Sequence, residues 1–117
     1  TVEAGIPSVA EEDLTDSISL DELLIENKEA SYILHVKGES MKEAGIRDGD
    51  MVIAERGNHA HDGDIVIAEV DGGWTMKFFR TNGSRVYLEP ANKSMRPIYP
   101  EEELRVAAIV KAVIRKY

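Results

Sequence analysis

The chain has no cysteine, only four prolines, and two phenylalanines, four tyrosines and one tryptophan among 117 residues. Without cysteine there is no disulfide framework, no thiolate metal site and no cysteine nucleophile, so any chemistry must come from oxygen and nitrogen groups. No apolar run approaches the roughly 18 to 20 residues needed to cross a bilayer, and no signal-peptide pattern opens the chain. These absences point to a cytoplasmic protein with no membrane attachment. At 43% hydrophobic and 31% charged, the chain suits a single soluble domain with one core.

Charge is present but unevenly placed. Residues 1–30 hold nine acids and one base, Lys28, and so carry the whole net charge of -8. Residues 31–117 balance thirteen acids with thirteen bases. A neutral body without a basic stripe argues against direct nucleic-acid binding by this chain. The acidic block reads as a solvated arm, which can also dock on its own domain or on a partner.

Gly5 and Pro7 discourage regular structure in residues 1–16, so an extended arm is expected there. Ser19-Leu20-Asp21-Glu22 has the S-x-x-E capping-box pattern ahead of Leu23, Leu24 and Ile25, which predicts one short helix. Beyond it, residues 32–36, 51–55, 65–70, 74–80, 85–89 and 104–114 are rich in Val, Ile, Tyr and Phe and are separated by glycine turns. They predict six strands, with hairpins at Asp71-Gly72-Gly73 and Asn82-Gly83. The expected fold is mainly β: a compact, twisted multi-strand sheet or partly open barrel, with the acidic arm and short helix as residues 1–30 and the body as 31–117.

Two copies of Asp-Gly-Asp, at 48–50 and 62–64, each precede a strand of the form Met/Ile-Val-Ile-Ala-Glu. They lack the remaining ligands of a calcium loop and read as tight turns. His59, His61 and Asp62 sit in a Gly/Asn/Asp-rich loop with no third well-spaced partner, so neither a metal nor another cofactor is expected.

Ser40 lies where a strand gives way to a predicted helical turn over residues 40–44, stopped by Gly45. Such a junction exposes a side chain and frees backbone N–H groups. Lys77 follows thirty-seven residues later among Trp74, Met76, Phe78 and Phe79, whose apolar company disfavours its ammonium form. Strand alternation puts it on the face of Thr75 and Phe79. By themselves, these features fit a turn serine and a lysine whose stem lies along a strand better than they fit a catalytic pair.

Gly38-Glu39-Ser40-Met41, Ala44-Gly45-Ile46-x-Asp48-Gly49-Asp50, Gly63-Asp64-Ile65-Val66, Thr75-x-Lys77 and Leu88-x-Pro90-x-Asn92 occur in this order along the chain. Together they resemble the self-cleaving domain shared by LexA-type repressors and UmuD mutagenesis proteins. The resemblance implies an autocatalytic serine peptidase with Ser40 as nucleophile, Lys77 as general base and the backbone N–H groups of Glu39 and Ser40 as oxyanion donors. It also implies self-cleavage between a small residue and glycine, which fits Ala4-Gly5, and a homodimer to which the 104–114 strand contributes; the apolar run there reads as a core strand, and any edge it left exposed would favour the dimer further.

Gly5-Ile6-Pro7-Ser8, the 18–25 stretch and the ending at Tyr117 look more like UmuD. That branch implies cleavage promoted by a RecA filament and service to an error-prone DNA polymerase after DNA damage. The alternative is the self-cleavage and dimerisation half of a LexA-type repressor, whose operator-binding helix-turn-helix is not in this chain. Whether cleavage is within or between subunits stays open at this point.

Overall fold

The computed structural model describes Ser17 and residues 19–117. The arm expected over residues 1–16, with Ala4 and Gly5, lies outside the described residues. Helix α1 (Leu20–Leu24) starts after Ser19, whose extended backbone suits an N-cap but whose side chain makes no capping bond. The S-x-x-E pattern therefore marks the helix start without closing a capping box. A 3₁₀ turn, Lys28–Ala30, follows, capped by the Asn27 side chain accepting from the Ala30 N–H.

The body is β1 (Ser31–His35), β2 (Met51–Arg56), β3 (Ile65–Val70), β4 (Gly73–Asn82), β5 (Arg85–Glu89) and β6 (Leu104–Ile114). All six expected strands form, as one antiparallel sheet in the order β1-β2-β6-β3-β4-β5. Asp71 and Gly72 make the two-residue β3–β4 turn, both with positive φ (47° and 88°), as the right-handed strand twist favours. The Asp71 carboxylate accepts the N–H groups of Glu101, Glu102 and Glu103, tying this hairpin to the entrance of β6. Those bonds, led by the one from Glu101, hold its carboxyl below the usual range.

β6 is the core strand its apolar run suggests. It lies inside the sheet, where residues 104–109 pair with β3 and residues 108–114 pair with β2. Among the described residues, 110–114 pair with β2 alone, so half of the strand keeps one open flank. The β6 register slips opposite Ile53/Ala54 and opposite Ile67/Ala68. Bulges of this kind add local twist. The sheet curls enough for β1 and β4 to line a common cavity, yet stays open, with β1 and β5 as its edges.

One core cluster forms where Val66, Ala68 and Leu88, all fully buried, meet Phe79, Ile98, Val106 and Ile109. Lys77 pairs with Val66 and Thr75 with Ala68, and cross-strand partners share a face. The alternation expected for Thr75, Lys77 and Phe79 is therefore realised on the core side of β4.

Candidate active site

After β1 the chain leaves the sheet through Val36, Lys37 and Gly38 and reaches Ser40 just ahead of a second 3₁₀ turn, Lys42–Ala44. Gly45 ends that turn in the left-handed conformation, φ 82°, as the glycine stop predicts. Gly38 also has positive φ, 90°, a backbone state that side chains with a Cβ rarely adopt. Its N–H donates to Asp48 Oδ1 at 2.6 Å. Val36 and the turn at 48–50 exchange two further bonds, Gly49 N–H to Val36 O and Val36 N–H to Asp50 O.

The loop is held from two other directions. Asn92 Nδ2 donates to the Glu39 carbonyl at 2.9 Å, Glu43 Oε2 accepts from the Lys93 N–H, and the Glu43 N–H donates to Ala91 O. On the far side, Arg115 beyond β6 makes two 2.8 Å bonds to the buried Asp50 carboxylate and a third bond to Gly45 O. The Arg115 guanidinium, with the Arg47 N–H, holds the Asp50 carboxyl down at about 2. In turn Asp50 raises the Arg115 pKa, so the pair stays ionised.

Ser40 and Lys77 line the same cavity, of about 270 Å³, with Leu34, Val36, Val52, Ile67 and Met76 among its apolar walls. Lys77 is only 7% exposed, and burial pushes its pKa below the usual lysine value. Its Nζ donates to Thr75 Oγ1, so the threonine satisfies the amine inside the apolar wall. Trp74 contributes to the cavity but remains 56% exposed. The Arg105 guanidinium lies 5.4 Å from its ring centroid and is itself bonded to Glu69. The lysine's burial therefore rests on the cavity walls and the core-facing side of β4 more than on Trp74.

Among the described residues, the Glu39 and Ser40 N–H groups donate to no protein acceptor. Sequence reasoning singled out Ser40, Lys77 and those two peptides; Ser40 and Lys77 line one cavity, and Glu39 is the chain neighbour of Ser40. That reasoning gave no role to Thr75, Asn92 or His35, although His35 also lines the cavity. Thr75 and Asn92 lay within the recognised motifs, whereas nothing in the sequence marked His35. The Asp62 and Asp64 carboxylates, considered as metal ligands or turn formers, accept the Thr81 and His61 N–H groups. They are turn formers.

The Peptidase S24-like family model matches residues 1–113. The chain belongs to this family. It is 41% identical, over all 117 residues, to the LexA repressor of Clostridium botulinum strain Langeland, and 37% identical over the same span to that of Clostridium kluyveri strain NBRC 12016. It spans 58% and 57% of the length of those two relatives. Of the two branches expected from the sequence, these S24 relatives favour the repressor. The UmuD-like reading, with its polymerase partner, gains no support from them. No helix among the described residues is long and apolar enough to cross a membrane.

Proposed function

We propose that this chain is the self-cleavage and dimerisation domain of a LexA-type repressor, an autocatalytic serine peptidase that cuts its own Ala4-Gly5 bond. The observation that carries the reading is the shared cavity, lined both by a half-buried serine and by a lysine whose burial favours the neutral amine. A serine hydroxyl needs a base near neutral pH, and a lysine serves only when its surroundings keep it unprotonated.

Lys77 Nζ takes the Ser40 proton as Oγ attacks the Ala4 carbonyl carbon. The Glu39 and Ser40 N–H groups stabilise the oxyanion. As the C–N bond breaks, the Lys77 ammonium returns a proton to the Gly5 amine, and water then hydrolyses the acyl-enzyme. Val2, Ala4 and Gly5 are small enough for a narrow apolar cleft. Because the arm is tethered, its effective concentration compensates for weak intrinsic chemistry.

In this reading a RecA filament promotes cleavage during the DNA-damage response by favouring the arm's cleavable pose, a population shift rather than new chemistry. The open flank of residues 110–114 offers a route to a homodimer. Operator DNA is contacted by a part of the repressor outside this chain.

The test is to incubate the protein with its native upstream sequence at neutral and alkaline pH and weigh the fragments. Cleavage at Ala4-Gly5 should accelerate with pH and fall at least ~10³-fold in Ser40→Ala and in Lys77→Ala. Wild-type rates in both variants would end the proposal.

A further inference from the structure

Asn92 makes a contact that the dyad alone does not explain. It is 9% exposed and reaches from the segment after β5 across 53 residues of sequence to the Glu39 carbonyl. That carbonyl belongs to the same peptide unit as the Ser40 N–H. In a planar trans peptide, C=O and N–H point in opposite directions. Fixing the carbonyl on the Asn92 side therefore fixes the N–H on the other.

The asparagine is itself held in one orientation. Its Oδ1 accepts from both the Ser94 N–H and the Ser94 hydroxyl, at 3.0 and 2.7 Å. With the oxygen so engaged, the nitrogen must be the atom that faces Glu39. The Glu39 carbonyl also accepts from the Lys42 N–H at 3.3 Å, but that bond is local to the loop. Asn92 is the long-range anchor, and Glu43 binds the backbone of its neighbours Ala91 and Lys93.

We infer that Asn92 is a positioning residue for the oxyanion site: it sets the plane of the Glu39–Ser40 peptide and so aims the Ser40 N–H at the oxygen of the tetrahedral intermediate. The inference rests on the proposed self-cleavage and assigns one of its energetic contributions to a residue outside the dyad. Oxyanion donors are effective when they are aimed before the reaction begins. A peptide free to rotate loses that aim although Ser40 and Lys77 remain in place.

The test uses the full chain with its native upstream sequence and compares wild type, Asn92→Asp, Asn92→Ala and Ser40→Ala. Self-cleavage rates are followed against pH alongside phosphonylation of Ser40 by a fluorophosphonate probe and the melting temperature. Asn92→Asp keeps the shape and the Ser94 contacts but replaces the donor with an acceptor. The high-pH plateau of cleavage should fall by roughly 30- to 1000-fold, the scale of losing an oxyanion donor. Phosphonylation should slow in parallel, while the pH midpoint, which reports Lys77, stays where it is. Asn92→Ala should behave alike.

A plateau within threefold of wild type, or a loss explained by a moved midpoint, overturns the inference. Cleavage that persists in Ser40→Ala overturns instead the functional reading beneath it. If both Asn92 variants fail to fold, NMR on the unmutated protein decides. The inference requires a through-hydrogen-bond coupling from the Asn92 side-chain nitrogen to the Glu39 carbonyl carbon, and its absence overturns the inference.

Discussion

The two Asp-Gly-Asp turns are built alike and used differently. In the first, the Arg47 N–H donates to Asp50 Oδ2, Gly49 and Asp50 exchange backbone bonds with Val36, and Asp48 Oδ1 accepts from Gly38. In the second, His61 donates to Asp64 Oδ2, Gly63 and Asp64 exchange bonds with Phe79, and Asp62 Oδ1 accepts from Thr81. Gly49 and Gly63 share nearly the same φ, 91° and 93°. Each turn thus clamps a strand and the residue two places beyond the clamp.

The outcomes diverge two residues further on. Thr81 continues into the β4–β5 hairpin because β5 is there to pair with it. Past Gly38 the chain has left β1, an edge strand, and it turns out to Ser40. The same clamp supports an ordinary hairpin in one place and a candidate nucleophile in the other. What distinguishes them is the surroundings: Asp50 is buried and bonded by Arg115, whereas the Asp64 side chain is a third exposed and faces His61 at 3.7 Å.

Substitutions at matched positions can break this comparison. The largest difference should come from Asp50→Asn against Asp64→Asn, because only the former strands a guanidinium whose partner is buried. Melting temperature should drop clearly for Asp50→Asn and little for Asp64→Asn, and self-cleavage should fall at least tenfold only in the former. Since the Asp50 carboxyl titrates at about 2 in the fold against 3.8 otherwise, its contribution is complete above about pH 4 and is lost as pH falls towards 2. Acid titration of Asp50→Asn should lack that part of the slope.

Next in size are Gly49→Ala and Gly63→Ala, each expected to cost about 1–2 kcal/mol in denaturant melts because of positive φ. A methyl at Gly49 meets nothing within 4 Å, and one at Gly63 meets only the end of Arg80 at an ordinary 3.6 Å. The smallest effects should be Asp48→Ala and Asp62→Ala, about 1 kcal/mol for one backbone contact each. Among these pairs, only the changes in the first turn should slow cleavage. Equal slowing from both turns would remove the distinction between them.

Much of this fold was legible because its punctuation is local. Asp71-Gly72 and Gly45 mark turns by their own backbone preferences, and runs such as Met51-Val52-Ile53-Ala54 read as strands without reference to any partner. Pairing is not local. The sequence could not say that β6 would bridge two halves of the sheet, that Arg115 would reach Asp50, or that Asn92 would find Glu39. It also suggested a capping bond at Ser19 that a five-residue, solvent-exposed helix does not form. Ser40 and Lys77 were recognisable from the family motifs, whereas their common cavity depends on the loop after β1 and strand β4 coming together in space, which no local motif records.

The central claim is that burial makes Lys77 the base for Ser40. ¹⁵N NMR titration of Lys77 Nζ in Ser40→Ala protein, set beside the pH dependence of wild-type self-cleavage, tests it most directly. Because the folded pKa lies below the unfolded one, 10.5, the unfolded chain binds the extra proton between the two values, and stability should rise with pH across that window. The account predicts an Nζ midpoint well below 10.5 that coincides with the midpoint of the cleavage rate. An amine titrating at or above 10.5, or a rate that ignores its titration, would contradict it.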